Sequence, residues 1–109
     1  KALRDVNNTS YILLARVERA LASLPGCEQC CAVALPDDTL GSLVAVVIEG
    51  DPDALPAKAQ MLGHLRARLA PQFVPHRLYR VQLLPRTAGG KIRRAAALEL
   101  VTSGEADRL

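Results

Sequence analysis

The spacing of apolar and polar residues divides the chain into short elements. Val17, Ala20, Leu21 and Leu24 fall at i, i+3, i+4 and i+7, one face of a helix from about Ala15 to Leu24 that Pro25-Gly26 ends. Residues 1–14 are ambiguous: Asn7-Asn8-Thr9-Ser10 is turn-like, and Tyr11-Ile12-Leu13-Leu14 is an apolar patch compatible with a short strand. Cys27 to Leu35 reads as a strand and Pro36-Asp37-Asp38 as the turn after it. Leu43 to Ile48 is continuous and β-branched, which predicts a strand buried on both faces. After the loop Gly50-Asp51-Pro52-Asp53, the stripe Leu55, Ala59, Leu62, Leu65 and Leu69 predicts a second helix with Pro56 in its opening turn. Pro71 and Pro75 close it and force an extended connector. Tyr79, Val81 and Leu83 alternate with Leu78, Arg80 and Gln82, a strand with one wetter face. Residues 85–92 are a Pro/Thr/Gly loop, and Arg93 to Val101 is a final helix. The order α-β-β-α-β-α predicts a small α+β domain with helices packed on a three-stranded sheet.

Composition narrows the class. A length of 109 residues suits one domain, and 50% hydrophobic content excludes a disordered chain. No apolar run approaches the roughly 20 residues of a membrane span, and no signal peptide opens the chain. The first residue is Lys1, which reads as the start of a piece of something longer. Three clustered cysteines, Cys27, Cys30 and Cys31, are no disulfide framework and point to a reducing, cytoplasmic compartment. They also suggest no metal site, since zinc prefers four ligands and only His64 and His76, both distant in sequence, remain. An aromatic content of 3% argues against base stacking on nucleic acid.

Charge is unevenly placed. Residues 1–53 carry four basic and eight acidic side chains, whereas residues 54–98 carry nine basic and no acidic ones. Such a segment faces solvent, pairs with the acidic half, or meets an anion. Arg66 and Arg68 are helix-surface charges that could also touch the phosphates of a ligand or a carrier domain.

The stretch Leu84-Pro85-Arg86-Thr87-Ala88-Gly89-Gly90-Lys91-Ile92-Arg93-Arg94 carries the candidate chemistry. Two glycines allow unusual backbone conformations and close approach of a ligand. It is not a phosphate-binding P-loop, because Pro85 and Ile92 stand where that motif needs Gly and Ser/Thr. What remains is one of only three lysines, on a mobile tip, suited to stabilising negative charge that develops during a reaction.

This stretch resembles the terminal signature of the adenylate-forming enzyme superfamily: Pro-Arg-Thr, two residues, Gly-Lys-Ile/Val, then basic residues. Three further segments fit in order. Val17-Glu18-Arg19-Ala20-Leu21 with Pro25-Gly26 resembles the first helix of the superfamily's C-terminal subdomain. Leu35-Pro36-Asp37-Asp38 with Leu40-Gly41 resembles a turn between two strands, and Leu69-Ala70-Pro71-Gln72-Phe73-Val74-Pro75 resembles the connector before the third strand.

The resemblance implies a C-terminal subdomain over residues 15–101, a partial hinge or leader over 1–14 and a tail over 102–109. It implies a lid of an ATP-dependent ligase that activates carboxylic acids as acyl-adenylates and passes them to a thiol, CoA or a carrier-bound phosphopantetheine. Lys91 would be the catalytic ammonium, with Thr87, Gly89 and Gly90 aiming its loop; Arg86 either does likewise or pairs with an acidic surface group. ATP and Mg²⁺ would be held mainly by a large N-terminal domain of the same polypeptide, with the acid and a carrier protein as further partners. The superfamily's hinge carries Arg-x-Asp or Arg-x-Lys; here Arg4-Asp5 lacks the spacer, leaving Asp5 as the hinge candidate. Two other readings stand beside this one: a free-standing basic binding module, and a non-catalytic remnant of the ligase fold used for protein contact.

Overall fold

The computed structural model describes residues 2–38 and 41–109. Helix α1 spans Ala2–Ala22, strands β1 and β2 span Cys30–Asp37 and Gly41–Glu49, and α2 spans Lys58–Arg66. A 3₁₀ turn at Pro71–Phe73 leads into β3, Arg77–Val81, followed by α3, Arg94–Thr102, and β4, Asp107–Arg108. The strands form one mixed sheet in the order β1-β2-β3-β4, antiparallel except for the β2–β3 pair.

The strand period of two decides the layers, because successive side chains point to opposite faces. Cys30, Ala32, Val46, Ile48 and Leu78 face α1 and α2, where Leu14, Val17, Leu21, Met61 and Leu65 complete one core. Cys31, Val33, Ala45, Val47, Tyr79 and Val81 face the other way and are covered by Ala97 of α3, with Leu84 and Ala106. β2 is accordingly buried on both faces, as its β-branched run predicts.

Several expectations need correction. The described residues form four strands, not three: after α3 the chain returns so that Asp107 and Arg108 pair with Arg80 and Tyr79. A two-residue strand carries no periodicity to read. Residues 7–14 lie inside α1, with no turn and no separate strand. Leu14 extends the buried stripe of Val17 and Leu21, while Tyr11 and Ile12 point outward. α2 is shorter than the Leu55–Leu69 stripe, because Pro56 precedes the extended Ala57 N-cap and so lies before the helix. Leu55 and Leu69 still pack against the core from outside the helix. The connector holds a 3₁₀ turn instead of running extended. β3 ends at Val81, so Leu83 is 70% exposed instead of sharing the face of Tyr79. α1 stops at Ala22, two residues short of the expected Leu24, and Pro25-Gly26 lies in the turn that follows: Gly26 has φ +97°, and a Cβ there would stand 3.2 Å from Pro56 Cδ.

Candidate functional site

Residues 85–93 form a hydrogen-bonded hairpin. Arg93 N–H donates to the Pro85 carbonyl at 2.9 Å, Arg86 and Ile92 form an antiparallel bridge, and Thr87 N–H donates to the Lys91 carbonyl at 2.8 Å. Gly90 N–H closes the tip on the Thr87 carbonyl at 2.9 Å, and Thr87 Oγ1 accepts the Lys91 N–H at 3.3 Å. Gly90 follows that turn at φ +92°, the place of a glycine bulge in a three-residue hairpin loop. Gly89 has no such requirement, since its φ is ordinary and a Cβ would meet only Thr87 Oγ1 at 3.8 Å. The two glycines are therefore not equivalent. Lys91 stands on the return arm of a built hairpin, in place of the loose tip expected. Its side chain is exposed and makes no ion pair with any described residue.

The hairpin is braced at both roots. On the incoming side, Arg86 Nη1 donates to Glu49 Oε1 at 2.9 Å and Nη2 donates to Gln29 Oε1 at 2.8 Å. The same Glu49 oxygen accepts the Leu84 N–H at 2.7 Å. Burial pushes the Glu49 carboxyl up, but the Arg86 and Leu84 hydrogen bonds and the Arg86 charge outweigh it and hold it below 4.5. Arg86 thus does pair with an acid. On the outgoing side, Arg94 Nη1 donates to Glu18 Oε2 at 2.5 Å and to the Ala32 carbonyl. Sequence reading missed Glu49, Gln29 and Glu18 as partners; the one available signal was a carboxylate terminating the otherwise apolar β2.

Asp5 falls within the α1 span, and its side chain lies outside the described residues, as does Leu40 of the turn motif. Burial raises the thiols of Cys27, Cys30 and Cys31 to about 11, about 12 and about 11. No group of three or more His, Cys, Asp or Glu gathers among the described residues to hold a metal ion. His64 Nε2 lies 2.8 Å from Ser23 Oγ and 3.0 Å from the Ala20 carbonyl, and His76 is exposed. The basic segment is partly neutralised: Arg80 pairs with Asp107, Arg86 with Glu49 and Arg94 with Glu18. Arg66 and Arg68 remain exposed. No described helix is long and apolar enough to cross a membrane.

Comparison with known proteins agrees with this geometry. Residues 16–91 match the model of the AMP-binding enzyme C-terminal domain. A probable 2-succinylbenzoate–CoA ligase of Mycobacterium tuberculosis is 35% identical over 98 residues, covering 89% of this chain and 25% of that protein. An uncharacterised acyl–CoA ligase of Bacillus subtilis is 37% identical over 81 residues, covering 72% and 15%. Among solved structures, a fatty acyl CoA synthetase of Mycobacterium tuberculosis superposes with a TM-score of 0.76 at 23% identity, covering 83% of this chain and 18% of that one. The o-succinylbenzoate CoA synthetase of Bacillus subtilis gives 0.72 at 21% identity, covering 88% and 19%. At those identities the superpositions speak for the fold. The chain spans a quarter or less of the length of these relatives. With the family model covering most of its length and the Lys91 hairpin inside the fold, the chain belongs to the family of AMP-binding enzyme C-terminal domains.

Proposed function

We propose that this chain is the C-terminal lid of an ATP-dependent ligase that activates a carboxylic acid as its acyl-adenylate, with Lys91 as the ammonium delivered to the reacting nucleotide. The observation that carries the reading is an exposed lysine, without an ion pair among the described residues, on a hairpin braced at both roots. A substrate carboxylate oxygen attacks the α-phosphorus of ATP, the bond to the bridging oxygen breaks, and pyrophosphate leaves. Negative charge concentrates between carboxylate and phosphate, and a positioned cation lowers that barrier. Lys91 supplies the cation; Thr87 and Gly90 hold the backbone that presents it.

ATP, Mg²⁺ and the acid are assigned mainly to a large N-terminal domain, and a CoA or carrier-bound phosphopantetheine thiol takes the acyl group afterwards. Buried free thiols support a reducing, cytoplasmic setting for the ligase. The names of the relatives make 2-succinylbenzoate the first acid to test, followed by a fatty acid. In the full-length ligase, Lys91→Ala should lower acid-dependent ATP–pyrophosphate exchange by roughly 10²–10³-fold with the fold intact. An unchanged exchange rate would falsify the assignment.

A further inference from the structure

Lys91 cannot aim itself, since its side chain is exposed and forms no ion pair with any described residue. What fixes it is the root of the hairpin, and there the hydrogen bonds converge on one oxygen. Glu49 Oε1 accepts both the Leu84 N–H at 2.7 Å and Arg86 Nη1 at 2.9 Å. Arg86 Nη2 continues to Gln29 Oε1 at 2.8 Å, and Glu49 N–H returns to the Gln29 carbonyl at 2.9 Å. This ring of contacts joins the end of β2, the entry to β1 and the incoming arm of the hairpin. Arg86 is bridged directly to Ile92, the neighbour of Lys91, so a displacement of Arg86 passes straight to the lysine backbone. Just before the ring, Gln82 and Leu83 are exposed, and Gln82 Nε2 donates to Asp51 Oδ1 at 3.0 Å.

We propose that Glu49 is the positioning residue for Lys91, setting through Arg86 and the Leu84 amide where the ammonium reaches. This rests on the ligase reading above. In this role Glu49, its carboxylate oxygen engaged by Arg86 and the Leu84 N–H, acts through the hairpin and not on the reacting groups. Charge-assisted hydrogen bonds in a half-buried setting give it the directional stiffness such a role requires. Misplacement of a catalytic group by about 1 Å costs up to roughly a hundredfold in rate.

The test separates the two half-reactions in the full-length ligase, using 2-succinylbenzoate and, for the second step, preformed succinylbenzoyl-adenylate. Glu49→Gln should lower kcat for ATP–pyrophosphate exchange by about tenfold to a hundredfold with KM for ATP unchanged, while thioester formation from the supplied adenylate keeps its rate. Glu49→Asp, which keeps the charge one methylene back, should show the same split more weakly. In the 109-residue chain, the amide hydrogens of Gly90 and Arg93 should exchange about tenfold faster in Glu49→Gln, with those of Val46 and Val47 unchanged. Equal loss in both half-reactions, or equal acceleration of all four amides, overturns the positioning role. Unaltered exchange in Glu49→Gln alongside a large loss in Lys91→Ala overturns it and leaves the ligase reading standing; no loss in Lys91→Ala overturns both.

Discussion

Glu18 and Arg94, 76 residues apart, meet at 2.5 Å across the free edge of β1. Glu18 Oε2 accepts the Ala32 N–H at 2.7 Å, and Arg94 donates to the Ala32 carbonyl, so one ion pair satisfies both outward backbone groups of that residue. An edge strand with unpaired groups invites pairing with another chain. Here α1 and α3 close that position with their own side chains. Glu18→Ala leaves a half-buried guanidinium and an amide without their acceptor, a cost of about 1–2 kcal/mol after allowance for partial exposure. Thermal melting should show a midpoint lowered by roughly 4–10 °C; an unaltered midpoint would mean that solvent replaces the pair without penalty.

The two glycines of the hairpin should behave differently. Gly90→Ala forces a side chain into the left-handed region at φ +92°, at about 1–2 kcal/mol. Gly89→Ala meets open space and should shift stability by less than about 0.5 kcal/mol. Chemical denaturation of both variants compares them directly, and equal costs would contradict the bulge geometry.

Acid should weaken the root of the hairpin. Glu49 is held below 4.5 in the folded chain, so on acidification the unfolded chain takes up this proton first. Its contribution is present above pH 4.5 and is lost as pH falls through the lower folded value. The slope of stability against pH between roughly 5 and 2 should be shallower in Glu49→Gln than in the parent chain. Parallel slopes would remove Glu49 from the acid response.

Alkali acts through the cysteines. Their folded values of about 11 to 12 lie above the ordinary 9.0, so the folded chain retains protons that the unfolded chain releases. The associated stability is complete below pH 9.0 and falls as pH rises toward 11. At pH 8 all three thiols should alkylate with iodoacetamide at least about a hundredfold more slowly than in denaturant, as intact mass would report. Rapid labelling of the native chain would place a thiol at the surface.

Local signals carried the glycine turn and the first three strands, though not the pairing of the turn's two arms into a hairpin. Thr87, the glycine pair and Lys91 mark a turn with a charged return arm because turn chemistry resides in adjacent residues. The β-branched run of β2 announces burial on both faces because side chains alternate with a period of two. α1 was legible only where its stripe begins in earnest, since Asn7 to Ser10 speak locally for a turn and lie inside the helix span. β4 left no trace, because two residues are too few for a period.

The sequence by itself determined the order of helices and strands from α1 to α3, the two-sided burial of β2 and the identity of the one lysine on the glycine turn. Tertiary structure alone decided that Arg86 finds Glu49 and Arg94 finds Glu18, partners 37 and 76 residues away. Periodicity and turn propensity act over a few bonds, whereas a charge finds its partner only after strand order and helix packing have brought distant backbone together.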